Sequence, residues 1–414
     1  MIREHQGVRR SSAASAAARR RGRFGWLTIL TALVLVCASP EPAAAQQAIS
    51  DVLLFLLTNR SIATDDFVRD EQAAIETSDT VATFLVHEVA TLPIASTSSG
   101  FAYRLDPALG TMTRSTDSFG PSFTEWSLTS GAMRTSVGIS YRNTAFDTID
   151  GQNLGDGTLV STASVLRGET QPFDIETVSL RIRLNSVIVS GNFGVTDRFD
   201  LSAALPFVTL SLNGERVDTY RGRTLVQAAA SATASGPGDL ALRGKYSVVR
   251  SGASGLAVGG EARFPTGDED NLLGAGELSI KARVLGSLEA GRVGVHGEAG
   301  FGIHGPFGGL DYAGAVTVVA VPRLTLVGEF YGRRLDDFGQ LTQTTVPHPR
   351  LAGVDTIRLT GVPQTTDRLV VVGGVKWNVE GGWIVSANVL RPVTQSGLNA
   401  RWTPIVAFDY SFAP

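Results

Sequence analysis

From Arg134 onward the chain alternates, residue by residue, between apolar and polar side chains. Leu240, Leu242, Tyr246 and Val248 are interleaved with Asp239, Arg243, Lys245 and Ser247. Val293, Val295 and Phe301 are interleaved with His296 and Glu298. A period of two marks a β-strand with one apolar and one polar face. We read twelve such strands, near 135–146, 177–193, 199–211, 239–249, 256–264, 277–288, 293–303, 310–320, 324–334, 368–378, 383–390 and 401–412. The connections between them are about 30, 5, 27, 6, 12, 4, 6, 3, 33, 4 and 10 residues long. The even-numbered ones are all short and rich in turn formers, as in Gly194-Val-Thr-Asp-Arg198 and Val379-Glu-Gly-Gly382. The odd-numbered ones run longer, at 10 residues or more, with one exception of 6 residues. Segregation of loop length by end belongs to a transmembrane barrel, with tight periplasmic turns and longer outer loops. A soluble sandwich has no reason to do this. The expected fold is therefore all-β: a transmembrane antiparallel β-barrel of about twelve strands over 134–414. An even strand number puts both barrel termini on the short-turn side.

The N-terminal region reads differently. Arginines 3, 9, 10, 19, 20, 21 and 23 precede the apolar run Trp26–Ala38, and Ala43-Ala-Ala45 follows. This is the layout of a secretory signal peptide, expected over 1–45. The run is too short to span a bilayer as a helix, which takes ~20 residues. The arrangement fits neither lipidation, since Val36 precedes Cys37, nor twin-arginine export, since Phe24 comes one place late. Cleavage removes Cys37, the chain's one cysteine, so no disulfide, cysteine zinc site or cysteine nucleophile is expected afterwards. Residues 46–133 form a partly helical N-terminal segment. Ile49–Leu57 is apolar on most sides, and Asp65–His87 has helical spacing. The patch Val52–Leu57 should not stay in water. It is expected in a plug that enters or caps the barrel from the periplasmic side, or in a tail with one amphipathic helix. A run of ~18 apolar residues occurs nowhere else, so inner-membrane helices are not expected.

Phe408, Tyr410 and Phe412 share one face of the last strand. This looks like the aromatic-ended strand read by the barrel-insertion machinery, although Ala413 and Pro414 follow it. The stretches Gly236-Pro-Gly-Asp-Leu-Ala-Leu-Arg-Gly-Lys-Tyr246 and Gly255-Leu-Ala-Val-Gly-Gly-Glu-Ala-Arg-Phe-Pro-Thr-Gly-Asp268 carry a further resemblance. With Phe199-Asp-Leu-Ser-Ala-Ala-Leu-Pro-Phe207, they resemble the outer-membrane family labelled for the MetA pathway of phenol degradation. The resemblance spans roughly 178–412. It implies a barrel in a Gram-negative-type outer membrane, a channel for small and often apolar compounds. It brings no catalytic residues.

Motifs of other chemistry are absent or out of context. Gly300-Phe-Gly-Ile-His-Gly305 matches a dinucleotide pattern, but Pro306 follows where a helix is required. The histidines form no compact ligand pair. Outer-membrane phospholipases, also twelve-stranded, place His-x-Ser on one strand; here His296 is followed by Gly297-Glu298. The acidic loop Asp268-Glu-Asp-Asn271 lacks calcium-loop spacing. With a net charge of -3, no global basic field exists for nucleic acid. No cofactor, metal or enzymatic activity is expected. The informative set is the polar faces. Arg181, Arg183, Arg243, Lys245, Glu261, Arg263, Lys281, Arg283, His296, Glu298, Glu329 and Lys376 are the candidates for the lumen lining. They would form either a mixed-charge constriction that selects solutes or a salt-bridge ladder that stiffens the barrel. A channel for small solutes is the leading functional reading. A plugged structural or surface-binding barrel is the alternative.

Overall fold

Each of the twelve alternating segments folds as a strand. They are β1 (Thr135–Phe146), β2 (Asp174–Gly194), β3 (Phe199–Tyr220), β4 (Leu240–Ser251), β5 (Ser254–Phe264) and β6 (Ser279–Ala290). The second half comprises β7 (Val293–Ile303), β8 (Gly309–Val321), β9 (Leu324–Leu335), β10 (Thr366–Glu380), β11 (Trp383–Pro392) and β12 (Thr403–Phe412). The computed structural model describes residues 47–58, 67–91, 93–96, 100–106, 111–304, 308–336 and 338–412. The expected signal peptide lies outside them. Sequential strands pair antiparallel, and β12 returns to β1 with Phe412 opposite Thr135 and Ile405 opposite Arg142. The ring is a closed twelve-stranded up-and-down barrel. Closure leaves no sheet edge in the lipid, where an unpaired backbone group costs several kcal/mol.

Side-chain alternation decides which face meets the lipid. Val137, Ile139, Leu201, Val258, Val284 and Phe408 point outward and are 45–57% exposed. Lys245, Glu261, His296, Thr317, Thr325 and Lys376 point into the barrel and are buried. At the short-turn end Trp383, Tyr410 and Phe412 stack in a row, with ring centroids 4.6 and 5.7 Å apart. Such a cluster suits the membrane–water interface.

The apolar belt ends at a defined rung. On β2 and β3 the outward rows are Phe193, Val189, Val187 and Phe199, Leu201, Leu205, Phe207, up to the opposed pair Val187–Phe207. Phe199 to Phe207 is close to the ~9–11 residues a tilted strand needs to cross. Beyond that rung the outward rows become Asn185, Arg183, Arg181 and Thr209, Ser211, Asn213. The inward rows change the opposite way. Asn192 and Asp200 lie below, while Leu180, Ile182, Leu184, Leu210 and Leu212 lie above, all buried. This corrects the assignment of Arg181 and Arg183 to the lumen. Both are exposed on the outer face, because the strand outlasts the bilayer and its faces exchange polarity where water replaces lipid.

Above the belt, β2 and β3 are joined by Leu159–Leu166, Arg223–Pro237, Gln340–Pro347 and Val354–Val362 in a six-stranded extension. Arg221 and Gly222, at φ 48° and 77°, make the tight turn that folds Arg223–Pro237 back on β3. The inner face of the extension packs α1 (Ile49–Leu57) and α2 (Phe67–Ala90). Leu53, Leu56, Phe84 and Leu85 share one cluster with Leu180, Leu212 and Leu359. The expected entry of the N-terminal segment from the periplasmic side is thereby corrected. The helices sit at the long-loop end, where the inverted inner face offers apolar surface that lipid does not already cover.

Among the described residues, 93–96 and 118–130 fill the lumen, with Ser96 N donating to Ser122 O at 3.0 Å, and the hairpin Tyr103–Asp106/Thr111–Arg114 lies toward the short-turn end, where Arg134 stacks on Tyr103. The chain leaves the lumen at that end. There Met133 N donates to Gly194 O at 2.7 Å and Gly194 N to Arg134 O at 2.8 Å. A Cβ on Gly194 would lie 1.9 Å from the Gly131 carbonyl oxygen, so only glycine permits this crossing.

The polarity switch has a direct test. Val284→Arg on the lipid face should destabilise the barrel by about 2–4 kcal/mol if Val284 lies near the bilayer midplane. Arg183→Val, on the outer face above the belt, should stay within about 0.5 kcal/mol. Unfolding titrations in lipid vesicles measure both. A second prediction concerns the extension. Burial, then a hydrogen bond and the charge of Asp218, push the Asp174 carboxyl up to about 7. The unfolded group ionises near its ordinary value of 3.8, so unfolding releases a proton between these limits and rising pH favours it. Thermal unfolding midpoints should therefore fall from pH 5 to pH 8 in the parent relative to Asp174→Asn.

Candidate functional site in the barrel lumen

Ten of the twelve sequence-derived candidates face the lumen, and they divide by depth into two groups. In the short-turn half they hold the chain that fills the barrel. The Glu329 carboxylate accepts the backbone N–H groups of Ser122, Phe123 and Thr124 at 2.5, 3.1 and 2.7 Å. Lys376 donates to the carbonyls of Phe119 and Pro121 at 3.3 and 2.5 Å. Lys245 pairs with Glu125 at 2.8 Å and reaches Trp126 O at 3.2 Å. His296 bonds Ser287 and Thr317 on flanking strands and meets the Trp126 ring edge-on at 5.6 Å. Ser127 N donates to Ser287 and Ser130 N to Asp200, at 3.0 and 2.9 Å. Glu329, Lys376, Lys245 and Asp200 thus find polar partners on the threaded segment, as burial of a charge requires.

In the middle of the barrel the candidates pair with one another. Glu261 on β5 binds Arg243 of β4 and Arg263 of its own strand, each at 2.8 Å, and also Arg283 of β6. Arg283 reaches Glu298 of β7 at 3.5 Å. Lys281 pairs with Asp311 of β8, which also takes Arg333 of β9 at 2.9 Å. The ladder follows from register: Arg243 lies opposite Glu261, Glu261 opposite Lys281, and Asp311 opposite Arg333. Strand alternation with register would also have picked out Asp311 and Arg333, which the candidate set omits. Higher up, Glu88 of α2 bridges Arg142 of β1 at 3.2 Å and Arg368 of β10 at 2.7 Å. Nothing on α2 alone signals that bridge, because its partners come from distant strands.

The free space is small. One chamber of 60 Å³ is bordered by His87, Glu88, Arg142, Arg333 and Arg368. Another of 70 Å³ is bordered by the Glu261 ladder, Thr91 and Phe123. A cavity of about 150 Å³ holds one benzene, so neither chamber admits a ring in this arrangement. Among the described residues, no cluster of three or more His, Cys, Asp or Glu is arranged to hold a metal ion.

The attachment at Glu329 carries a prediction. Glu329→Leu strands buried backbone donors, each worth about 1–3 kcal/mol, and should loosen residues 119–125. A cysteine introduced at Ser122 in the mature chain should then react with an aqueous maleimide at least tenfold faster than in the Glu329 parent.

A family model described as "Putative MetA-pathway of phenol degradation" matches residues 150–397. No curated protein matches the chain in sequence. Solved structures are similar at low identity. An outer membrane channel from Pseudomonas putida F1 is 14% identical, covering 68% of this chain and 96% of that one at a TM-score of 0.43. The toluene transporter TbuX of Ralstonia pickettii is 10% identical, covering 78% and 99% at a TM-score of 0.27. A FadL homologue of Pseudomonas aeruginosa is 10% identical, covering 68% and 90% at 0.30.

Proposed function

The chain belongs to the family described as "Putative MetA-pathway of phenol degradation", and from that premise we propose that it is an outer-membrane channel for small, apolar molecules. The observation that supports this reading is a membrane-spanning barrel whose lumen is occupied by its own N-terminal segment through reversible contacts. These are hydrogen bonds and ion pairs to Lys245, Glu329 and Lys376. A barrel serving only as a structural element has no need of a removable filling. Twelve strands enclose a lumen between those that side chains fill and those that stay open.

In this reading the two groups of charges have different roles. Lys245, His296, Glu329 and Lys376 are the latch for residues 116–130. Arg243, Glu261, Arg263, Lys281, Arg283 and Glu298 brace the wall across neighbouring strands and line the path that opens when the segment shifts. The lumen takes no part in covalent chemistry. The partners are outer-membrane lipid around the belt, the insertion machinery at β12, and the solute. Secretion precedes insertion, with cleavage after Ala45.

Single-channel recording in planar bilayers tests the proposal. The mature chain, beginning at Gln46, should conduct weakly. A chain lacking residues 47–130 but still inserting, judged by heat-modifiable gel migration, should conduct several-fold more. Unchanged conductance in the inserted deletion would favour the plugged structural barrel. Liposome flux with phenols, sugars and fatty acids then identifies the solute class.

A further inference from the structure

The wall is uneven above the belt. On one side β2 and β3 rise into the six-stranded extension. Elsewhere the wall ends low, at the loop between β5 and β6 and at the end of β9. Between that low rim and α2 lies a cavity of 360 Å³. Ala82 and Val86 of α2 line one side of it, and Leu272, Leu335 and Phe338 line the other. Phe338 is only 5% exposed. Its ring stacks on Phe84 at 4.7 Å and meets His87 edge-on at 5.1 Å. His87 also borders the 60 Å³ chamber below, so the Phe338–His87 contact separates this pocket from the charged lumen.

We propose that this mouth pocket is a binding site for one uncharged, single-ring-sized apolar molecule, and that the Phe338–His87 contact is the gate through which it passes inward. Size gives the first argument. A ring needs about 150 Å³, so 360 Å³ accommodates one ring with substituents, whereas the chambers below do not. Lining gives the second, since the named side chains are apolar and an aromatic ring forms the boundary. Charge gives the third. Glu269, Glu277 and Asp336 stand exposed around the pocket and repel an anion. The chambers below are bordered by seven cationic side chains (Arg142, Arg243, Arg263, Lys281, Arg283, Arg333, Arg368) against four acids (Glu88, Glu261, Glu298, Asp311), and disfavour a cation. A neutral molecule meets no like charge at either level. A neutral hydroxyl also finds acceptors in the rim carboxylates, so a phenol fits better than a bare hydrocarbon.

Binding at the pocket stands apart from transport, while the gate rests on the channel reading. The test uses the detergent-solubilised chain with p-cresol, benzoate and benzylammonium as probes, followed by calorimetry and saturation-transfer NMR. p-Cresol should bind, and benzoate should bind at least tenfold more weakly. Benzylammonium, which the rim carboxylates attract, should reach the pocket and yet fail to cross into liposomes, because the chambers below are net cationic. Ala82→Trp fills the pocket from α2 and should weaken p-cresol at least tenfold while heat-modifiable migration is kept. The triple exchange Glu269→Gln, Glu277→Gln, Asp336→Asn should raise benzoate affinity. Phe338→Ala should speed p-cresol flux into liposomes. p-Cresol binding that Ala82→Trp leaves unchanged, or equal binding of benzoate in the parent, overturns the pocket. p-Cresol bound as expected without flux in any variant overturns the gate and the channel reading, and leaves the pocket standing.

Discussion

Lipid around the belt forces the wall charges at that height to the inside, and a charge inside a protein needs a partner. This constraint organises the rest of the molecule. A soluble sandwich would bury the apolar faces against each other and leave Lys245, Glu329 and Lys376 in water. In the barrel the apolar faces are covered by acyl chains, and these three are buried instead. An isolated buried charge costs several kcal/mol, and the cost is offset only by good hydrogen-bond geometry. Wall charges supply part of it, through the register that sets Glu261 among Arg243, Arg263 and Arg283. The threaded segment supplies the remainder, with backbone amides on Glu329 and carbonyls on Lys376. Wall and segment are therefore mutually dependent.

Much of the barrel was legible in the sequence, for a physical reason. Alternation is a local property, and the bilayer keeps it clean because one face must be apolar over a fixed height. All twelve strands were found, and most boundaries fell within a few residues. The upper end of β3 is the exception: the sequence reading ends it at residue 211, while the strand runs to Tyr220. Beyond the belt the alternation persists with its meaning reversed, since Leu210 and Leu212 continue as apolar residues on a face that was polar below. Arg181 and Arg183 were misassigned for the same reason. Period reports which residues share a face, but only the solvent at a given height reports which face is inside.

The position of the N-terminal segment was legible in part. The two helices fall where apolar spacing indicated, at Ile49–Leu57 and Phe67–Ala90. Their end of the barrel was not legible, because chain order alone suggested the short-turn mouth next to β1. What decides it is surface complementarity across long sequence separations: Thr77 bonds to Leu359 O, and Arg142 to Glu88. The ligands of Glu329 were invisible for a related reason. They are backbone amides, which every residue except proline possesses, so no side-chain pattern marks them.

The composition of the segment nonetheless follows the wall beside it. Where the inner face of the extension is apolar, the segment is helical, with its own backbone hydrogen bonds satisfied and an apolar stripe to bury. Where the lumen is charged, residues 113–134 are rich in Ser, Thr and Gly and adopt little regular structure. A helix there would have spent its amides on itself and left Glu329 and Lys376 without partners. An irregular chain leaves amides and carbonyls free to turn toward the wall, and small side chains let it pass through a space narrowed by arginines. The change from helix to coil near Thr91 thus coincides with the level at which the wall changes from apolar to charged. The same arrangement localises motion. The coil is held by separate hydrogen bonds and by two small apolar clusters, at Phe119 and at Trp126, whereas the helices are held by one larger continuous apolar cluster that must separate as a unit. The filling of the lumen is therefore built to yield first in its lower, coiled half, with α1 and α2 remaining as its anchor.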